Sequence, residues 1–377
     1  MKSSSLTAPS VNIRHYGIDL LRILSMLMVL ILHILGHGGI LNATLPGSPH
    51  YIAAWVLECA AFCAVNCYAL ITGYVMINGK YRYTNLVLLW LQVVLINIVG
   101  KIPFYLADPS SVNIFNPLIS LFPASRMDYW YFSSYFFLYL LIPVLNHAIH
   151  SINRRQAKVL CIIIIVAFSI LPTVMNVDAF GLGDGYSTIW LMLMYLLGAC
   201  IRKFGFGTNI KSWILIVGYA LSVLVSVVFS LLLSLDIFSI LRIVWDTDML
   251  IRYISPTVLF CGIALLLLFL RIHISRQWII KIIQLLSPVS FGVYILHCQA
   301  QIAGFLFKEK RFAVFAQYPI PLMIGAVLLS AVVLFLLFAA IDKLRLMLFD
   351  ALKLKKRLLA LEEKYIGDLW ARNKTEK

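Results

Sequence analysis

The residues best suited to chemistry in this sequence lie on one apolar stretch near its start. Asp19, Arg22 and His33 interrupt an otherwise mostly aliphatic run between Tyr16 and His33. An α-helix turns by about 100° per residue, so the eleven-residue step from Arg22 to His33 leaves only about 20° after three turns. Asp19 and Arg22 are three residues apart and can pair on one face. The spacing therefore predicts one polar stripe along an apolar helix.

These side chains suit proton transfer and anion binding. A neutral histidine can take a proton from a hydroxyl group as that oxygen attacks an acyl carbonyl. Arginine stays charged and can hold a phosphate or carboxylate with two parallel hydrogen bonds. A charge at the middle of a bilayer costs at least about 2.5–3.5 kcal/mol on insertion scales, so the stripe must face the protein interior or a wet cavity. The alternative is a structural Asp–Arg pair with one hydrogen-bonded core histidine.

The composition indicates which solvent surrounds that helix. Of the 377 residues, 62% are hydrophobic and 12% are charged, whereas a soluble domain is about 45–50% apolar and about 25% charged. So few charges cannot cover a water-facing surface, and we predict an all-α, polytopic membrane protein with about ten transmembrane helices. A span needs roughly 17–25 residues. Such apolar runs occur near residues 17–36, 52–77, 86–107, 128–147, 158–176, 187–201, 212–235, 249–270, 288–307 and 320–341.

The net charge of +15, from 31 Lys and Arg against 16 Asp and Glu, reports on orientation. If successive spans cross the membrane in opposite directions, most basic residues lie in segments on the same side of it. The positive-inside rule identifies that side as the cytoplasm. This pattern predicts cytoplasmic termini and an attraction to anionic membrane lipid rather than binding of nucleic acid. We divide the chain into a cytoplasmic arm (1–15), a membrane domain (16–341) and a basic amphipathic tail (342–377) lying on the membrane surface. A solvated or dimerising tail helix is the alternative.

Other polar and aromatic residues in the spans are candidate substrate contacts. Glu58 is a carboxylate in an apolar run and needs a partner or a proton. Tyr294 and His297 share one face of a late helix, and Trp130 begins a span, where an aromatic belt would also explain it. The cysteines at 59, 63 and 67 repeat once per helical turn without a histidine at zinc-ligand spacing, so we predict no metal site.

Four segments, in order, resemble motifs of the acyltransferase 3 family, integral membrane acyltransferases of the bacterial cell surface. They are the Arg22-to-His33 spacing, residues 66–74 ending in Thr-Gly-Tyr, residues 129–143 ending in Leu-Ile-Pro, and residues 290–297 with the pattern Ser-Phe-Gly-x-Tyr-x-x-His. The resemblance extends from residue 17 to about 341. Its second segment departs from the family pattern, because Asn66 and Cys67 stand where many members have bulky aromatic residues.

The resemblance implies transfer of an acyl group, most often acetyl, from acyl-coenzyme A to a hydroxyl group. The acceptor would be a cell-surface polysaccharide or a lipid-linked sugar at the bacterial cytoplasmic membrane. His33 would be the general base or a transient acyl carrier, Arg22 would bind or orient the donor, and Asp19 would hold Arg22. The substrate contacts would be Glu58, Asn66, Trp130, Tyr294 and His297.

Acyl-coenzyme A enters this hypothesis as a donor substrate, and no bound cofactor is expected. Membrane lipid and the glycan acceptor are the other expected partners. The sequence leaves open whether the chain also pairs with a second copy of itself. The main rival function is a secondary transporter or flippase of a glycan precursor. That class predicts discontinuous helices in matched halves, which the sequence does not reveal.

Overall fold

The computed structural model describes residues 14–109, 121–178, 180–235, 245–307 and 310–367, and the regular structure in these ranges is helical. Eight helical segments there are long and apolar enough to cross a membrane: Tyr16–Ala43, Pro49–Met76, Tyr83–Ala107, Trp130–Ser151, Arg154–Met175, Ser212–Ser234, Gln277–Cys298 and Ile320–Ala351. The prediction of an all-α polytopic membrane protein is therefore confirmed. The exact number of spans and the side on which the termini lie stay predictions.

Within these segments, short breaks divide the chain into individual helices. The α-helices of the described ranges are α1 (Tyr16–Leu35), α2 (Ile40–Ala43), α3 (Pro49–Ala61), α4 (Ala64–Met76), α5 (Tyr83–Val99), α6 (Ile102–Ala107), α7 (Trp130–Ser151), α8 (Arg154–Ile165), α9 (Leu171–Met175), α10 (Thr188–Phe204), α11 (Ser212–Ser234), α12 (Pro256–Phe269), α13 (Gln277–Leu286), α14 (Ser290–Cys298), α15 (Ala300–Phe307), α16 (Ile320–Ala351) and α17 (Leu354–Tyr365). A π-helix covers Val166–Ile170, and 3₁₀ turns cover Gly183–Gly185, Ser287–Val289 and Arg311–Gln317.

Two predicted spans are short helices. The sixth is α10, with 17 residues, and the eighth is α12, with 14. Helix α10 crosses α4 at very close range, because a Cβ added to Gly73 would lie 1.9 Å from the Tyr195 carbonyl oxygen, and one added to Gly198 would lie 2.1 Å from that of Leu70. These glycines permit the backbone contact that places α4 inside the bundle.

The predicted ninth span, 288–307, was wrong in its bounds. The long segment is Gln277–Cys298, and it bends at Ser287–Val289, where Pro288 interrupts the helix. Gln299 has an extended backbone (φ −61°, ψ 127°) and ends α14, so that Ala300–Phe307 is a separate helix. This break fixes His297 and Cys298 at the end of α14.

Helix α1 lies in the middle of the bundle, which is why its polar residues face protein rather than lipid. It packs against α3, α4, α12, α13, α14 and α16, and most of its residues are buried. Because α4, α13 and α14 all contact it, side chains from distant parts of the sequence can meet the stripe on α1.

A second glycine contact ties α14 to the long helix α16. Asp342 is buried and accepts hydrogen bonds from Arg345 (2.8 and 2.7 Å) and from Gln92 Nε2 (3.1 Å). A Cβ on Gly292 would lie 2.0 Å from the Asp342 carboxyl carbon. The Gly of the Ser-Phe-Gly motif therefore makes room for a paired carboxylate and sets the position of α14.

We predict that Gly292→Ala destabilises the protein by about 1–3 kcal/mol, the usual cost of overpacking a filled site. The added methyl group must displace Asp342 from its partners. Thermal unfolding of the purified protein in detergent measures the effect. Gly325→Ala is the matched control, because its Cβ meets no atom within 4 Å and alanine favours a helix. Equal unfolding temperatures for the two variants would contradict this packing account.

The boundary predicted at residue 342 lies inside a helix, since α16 continues to Ala351. Beyond it, α17 contacts the start of α5 through Glu362. Its carboxylate accepts hydrogen bonds from Tyr83 N (3.1 Å), Thr84 N (2.9 Å) and Thr84 Oγ1 (2.6 Å). Two of these donors are backbone N–H groups in the first turn of α5, where no carbonyl of the same helix is in reach, so Glu362 caps α5 from the tail. The membrane-surface location of the tail stays a prediction, and its residues 368–377 lie outside the described ranges.

We predict that this cap makes stability depend on pH. Burial acts to raise the pKa of Glu362, but the hydrogen bonds from Thr84 and Tyr83 and the charge of Arg82 leave the pKa below its usual value. The stabilising effect is therefore present above about pH 4.3, the pKa of an unperturbed glutamate, and is lost as the pH falls through the lowered folded pKa. Glu362→Gln should lower the unfolding temperature at pH 7, and its difference from the wild type should shrink towards pH 3. The exposed neighbour Glu363→Gln serves as control, and a difference independent of pH would contradict the prediction.

Candidate active site

The predicted ion pair on α1 is present. Asp19 Oδ1 accepts hydrogen bonds from Arg22 Nη1 at 2.7 Å and from Ser287 Oγ at 3.0 Å, and its Oδ2 accepts one from Arg14 Nε at 2.6 Å. The Asp19 side chain is almost fully buried, whereas 31% of the Arg22 side chain is exposed. Since both oxygens of Asp19 are engaged, we assign Asp19 as a positioning residue that orients Arg22.

Arg22 borders a cavity of about 700 Å³, here called the Arg22 cavity. Arg14 and Arg202 also line it, and Asp19 is the only carboxylate among the lining residues that the structure describes. The lining therefore carries a positive excess. Guanidinium groups with a net positive field bind phosphate oxygens well, so this cavity suits a polyanionic ligand.

His33 pairs with a histidine from the other end of the chain. His33 Nδ1 lies 3.0 Å from His297 Nε2, and His297 Nδ1 lies 2.7 Å from the Val293 carbonyl oxygen. A carbonyl oxygen can only accept, so His297 Nδ1 carries the hydrogen and its Nε2 presents a lone pair. In the neutral pair, His33 Nδ1 then donates to His297, and His33 Nε2 is left with the lone pair that a general base needs.

His33 also borders a second cavity, of about 570 Å³, here called the His33 cavity. Its walls are largely aromatic and include Trp130, Tyr253 and Tyr294. The rings of Trp130 and Tyr253 are stacked, with centroids 5.7 Å apart. Aromatic faces that also carry polar groups are suited to binding the apolar faces and hydroxyl groups of sugars.

A narrow space of about 30 Å³, the connecting cavity, lies between the two. It shares Tyr68 and Tyr131 with the Arg22 cavity, and His33 and Trp130 with the His33 cavity. Tyr68 donates a hydrogen bond to the Arg22 carbonyl oxygen at 2.8 Å, which ties this neck to α1. About 30 Å³ is one water molecule's share of liquid volume. The connecting cavity therefore leads from the Arg22 cavity to His33, but the two large cavities are nearly closed to each other in this conformation.

The predicted substrate contacts divide into two groups. Trp130, Tyr294 and His297 line the His33 cavity. Asn66 and Glu58 are not among the described residues that line any of the three cavities.

Asn66 and Glu58 are buried in the bundle rather than placed beside a cavity. Asn66 is fully buried and joins helices, since its Nδ2 donates to the Tyr253 carbonyl at 2.9 Å and its Oδ1 accepts from Trp190 Nε1 at 2.9 Å. With both groups engaged, Asn66 holds Tyr253, a wall residue of the His33 cavity, in place. Glu58 is also buried, and its Oε2 has no hydrogen-bond partner among the described residues.

Sequence reasoning missed several residues of the site. Arg14 and Arg202 were counted only as charges that report on orientation, and Ser287 was not singled out, although it contacts Asp19. Cys298 lies 3.4 Å (Sγ) from His297 Nε2 and lines the His33 cavity. Only the position of Cys298 directly after the late histidine could have pointed to it, because the cavity that it lines is assembled from distant parts of the sequence.

In a comparison with protein families, residues 15–341 match the model of the acyltransferase 3 family, which is described as an acyltransferase domain. No curated protein and no solved structure shows a significant match. The matched range includes α1, the aromatic walls and α14, and Arg14 is the one site residue described above that lies just outside it.

Proposed function

Because the chain belongs to the acyltransferase 3 family, we propose that it transfers an acyl group from acyl-coenzyme A to a sugar hydroxyl. Membership makes the chain a multi-pass membrane acyltransferase; the coenzyme A donor, an acetyl group and a glycan or lipid-linked sugar acceptor are our proposal. The observation that carries it is the position of His33, which lines both the aromatic cavity and the connecting cavity that leads to the basic one.

The donor binds in the Arg22 cavity. Coenzyme A has several phosphate groups at its nucleotide end, from which a long, thin pantetheine arm carries the thiol. Arg14, Arg22 and Arg202 supply positive charge that matches these phosphates. From Arg22 to His33 the helix rises by roughly 16 Å, so the arm must extend past Tyr68 and Tyr131 to bring its thioester to His33. The connecting cavity must widen for this, by rotation of its aromatic side chains.

The acceptor binds in the His33 cavity, against Trp130, Tyr253 and Tyr294. His33 Nε2 takes the proton of the acceptor hydroxyl as its oxygen forms a bond to the thioester carbonyl carbon. The carbon–sulfur bond then breaks, and the imidazolium returns the proton to the leaving thiolate of coenzyme A. The products are an acyl ester and free coenzyme A. His297 holds the required tautomer of His33 through the contact between the two rings.

The membrane would separate the two substrates. We propose that the chain lies in a bacterial cytoplasmic membrane with the Arg22 cavity open to the cytoplasm, where coenzyme A esters are made. The His33 cavity would then open towards the cell-surface glycan. The predicted cytoplasmic termini agree with this orientation, because Arg14 precedes α1 at the Arg22 end.

Release of coenzyme A tests the proposal. The purified protein in lipid nanodiscs is mixed with acetyl-coenzyme A and an oligosaccharide carrying free hydroxyl groups, and free thiol and sugar ester are measured together. We expect both in equal amounts, and neither with His33→Gln. A transporter or flippase would move the sugar across a vesicle membrane without releasing thiol, and that result would overturn the proposal.

A further inference from the structure

Three metal-ligating side chains meet at the junction of the cavities. His33, His297 and Cys298 each offer one ligand atom, and these three atoms lie within 4.8 Å of one another. Two of the separations are 3.0 Å (His33 Nδ1 to His297 Nε2) and 3.4 Å (His297 Nε2 to Cys298 Sγ). The cluster combines residues more than 260 positions apart in the sequence, so the fold rather than local spacing creates it.

These distances fit a tetrahedral zinc ion after small side-chain shifts. Zinc binds histidine nitrogen at about 2.0–2.1 Å and cysteine sulfur at about 2.3 Å. Tetrahedral angles then require roughly 3.3 Å between two nitrogen ligands and roughly 3.6 Å between nitrogen and sulfur. These two contacts need to lengthen by a few tenths of an ångström, and the third separation, at most 4.8 Å between the ligand atoms of His33 and Cys298, must shorten by up to about 1.2 Å, which rotation of the Cys298 side chain can supply.

The hydrogen bond behind the cluster also matches a metal site. A histidine that binds a metal through one ring nitrogen usually donates its other N–H to a carbonyl or carboxylate. His297 Nδ1 makes such a bond to the Val293 carbonyl at 2.7 Å. This bond turns the Nε2 lone pair of His297 towards His33 and Cys298 in advance of any ligand.

We propose that His33, His297 and Cys298 bind a zinc-class divalent cation, and that the bound cation switches off acyl transfer. The switching part rests on the proposed function. Zinc would take the lone pair of His33 Nδ1, which forces the ring hydrogen onto Nε2. His33 then has no free lone pair to accept the hydroxyl proton. Cys298 gives up its thiol proton to the water of the His33 cavity when it binds.

The fourth coordination position faces the His33 cavity, which all three ligand residues line. Three protein ligands with one open position are typical of exchangeable zinc sites. Zinc arriving from the acceptor side would therefore reach the cluster without passing the narrow connecting cavity. The site is a sensor for free metal on that side of the membrane.

Direct metal binding tests the site without any substrate. The full chain in nanodiscs is treated with a chelator and dialysed against Zn²⁺, and bound zinc per chain is counted by elemental analysis. We expect one zinc ion per chain, and Cys298→Ser should weaken binding by more than about tenfold. With Co²⁺ as a probe, the thiolate-to-metal absorption band should disappear in Cys298→Ser. It should remain in Cys261→Ser, a buried cysteine outside the cavities.

Activity in the presence of zinc tests the switch. Zn²⁺ should inhibit transfer by the wild type, whereas the residual activity of Cys298→Ser, whatever its level, should be unaffected by the same Zn²⁺ concentration. His297→Gln gives a second variant lacking one ligand, and size-exclusion profiles check that both fold. Zinc binding that persists unchanged in both variants would overturn the site. Transfer without zinc binding would overturn this inference alone. Zinc binding without any transfer would overturn the proposed function and the switch that rests on it, but would leave the metal site in place.

Discussion

Replacing His33 with alanine is expected to lower kcat by about 10²–10⁴-fold, the usual contribution of a positioned general base. His33 lines both the His33 cavity and the connecting cavity, whereas the other two histidines of the His33 cavity, His37 and His297, do not line the connecting cavity. Initial rates of coenzyme A release at saturating donor measure the loss. The fold should survive, because His33 is only partly buried and borders cavities on the side where its ring would be removed.

A matched control separates catalysis from structural damage. His50→Gln removes a histidine that bonds the Tyr318 carbonyl at 3.0 Å and lies outside the described cavities. It should retain nearly full activity. His297→Gln should reduce kcat less than His33→Ala and should change the pH profile of kcat, because it loosens the tautomer of His33 rather than removing the base. Near-normal turnover by a folded His33→Ala protein would reject His33 as the catalyst.

The second large effect is expected from Arg22→Lys, which should raise the KM for acyl-coenzyme A by about 10- to 100-fold. A charge-assisted hydrogen bond contributes about 1.5–3 kcal/mol, and lysine lacks the fork that can hold Asp19 and a phosphate at once. Donor saturation curves measure the change, with kcat expected to fall much less.

Arg271→Lys is the control for this substitution. Arg271 bonds Ser212 Oγ at 2.7 Å and does not line the Arg22 cavity. Its donor KM should equal that of the wild type. Unchanged saturation by acyl-coenzyme A in Arg22→Lys would leave Arg22 with a structural role only, and the donor would then have to bind elsewhere.

The stripe on α1 could be predicted because helical geometry is local. The three-residue step from Asp19 to Arg22 gives the observed ion pair. The step from Arg22 to His33 is close to a whole number of helical turns, so both side chains lie on the inward face of α1. The apolar runs likewise predicted where helices form, because a membrane span needs both length and apolar surface.

The partners of the stripe could not be predicted because they depend on tertiary packing. The contact between His33 and His297 requires α14 to end at Cys298, which follows from an extended Gln299 rather than from apolar periodicity. Asn66 was predicted as a substrate contact from its place in a family motif, whereas in the structure it bonds Trp190 and Tyr253 inside the bundle. A single sequence does not reveal which face of a fully apolar helix meets a cavity.

Transfer across a sealed membrane tests most directly whether the Arg22 cavity and the His33 cavity form one catalytic site. Proteoliposomes are prepared with the oligosaccharide acceptor trapped inside, and acetyl-coenzyme A, which cannot cross lipid, is added only outside. We expect sugar ester to accumulate inside while free coenzyme A appears outside, and we expect His33→Ala to abolish both. Ester formed only when donor and acceptor share one compartment would contradict a site that joins the Arg22 cavity to the His33 cavity.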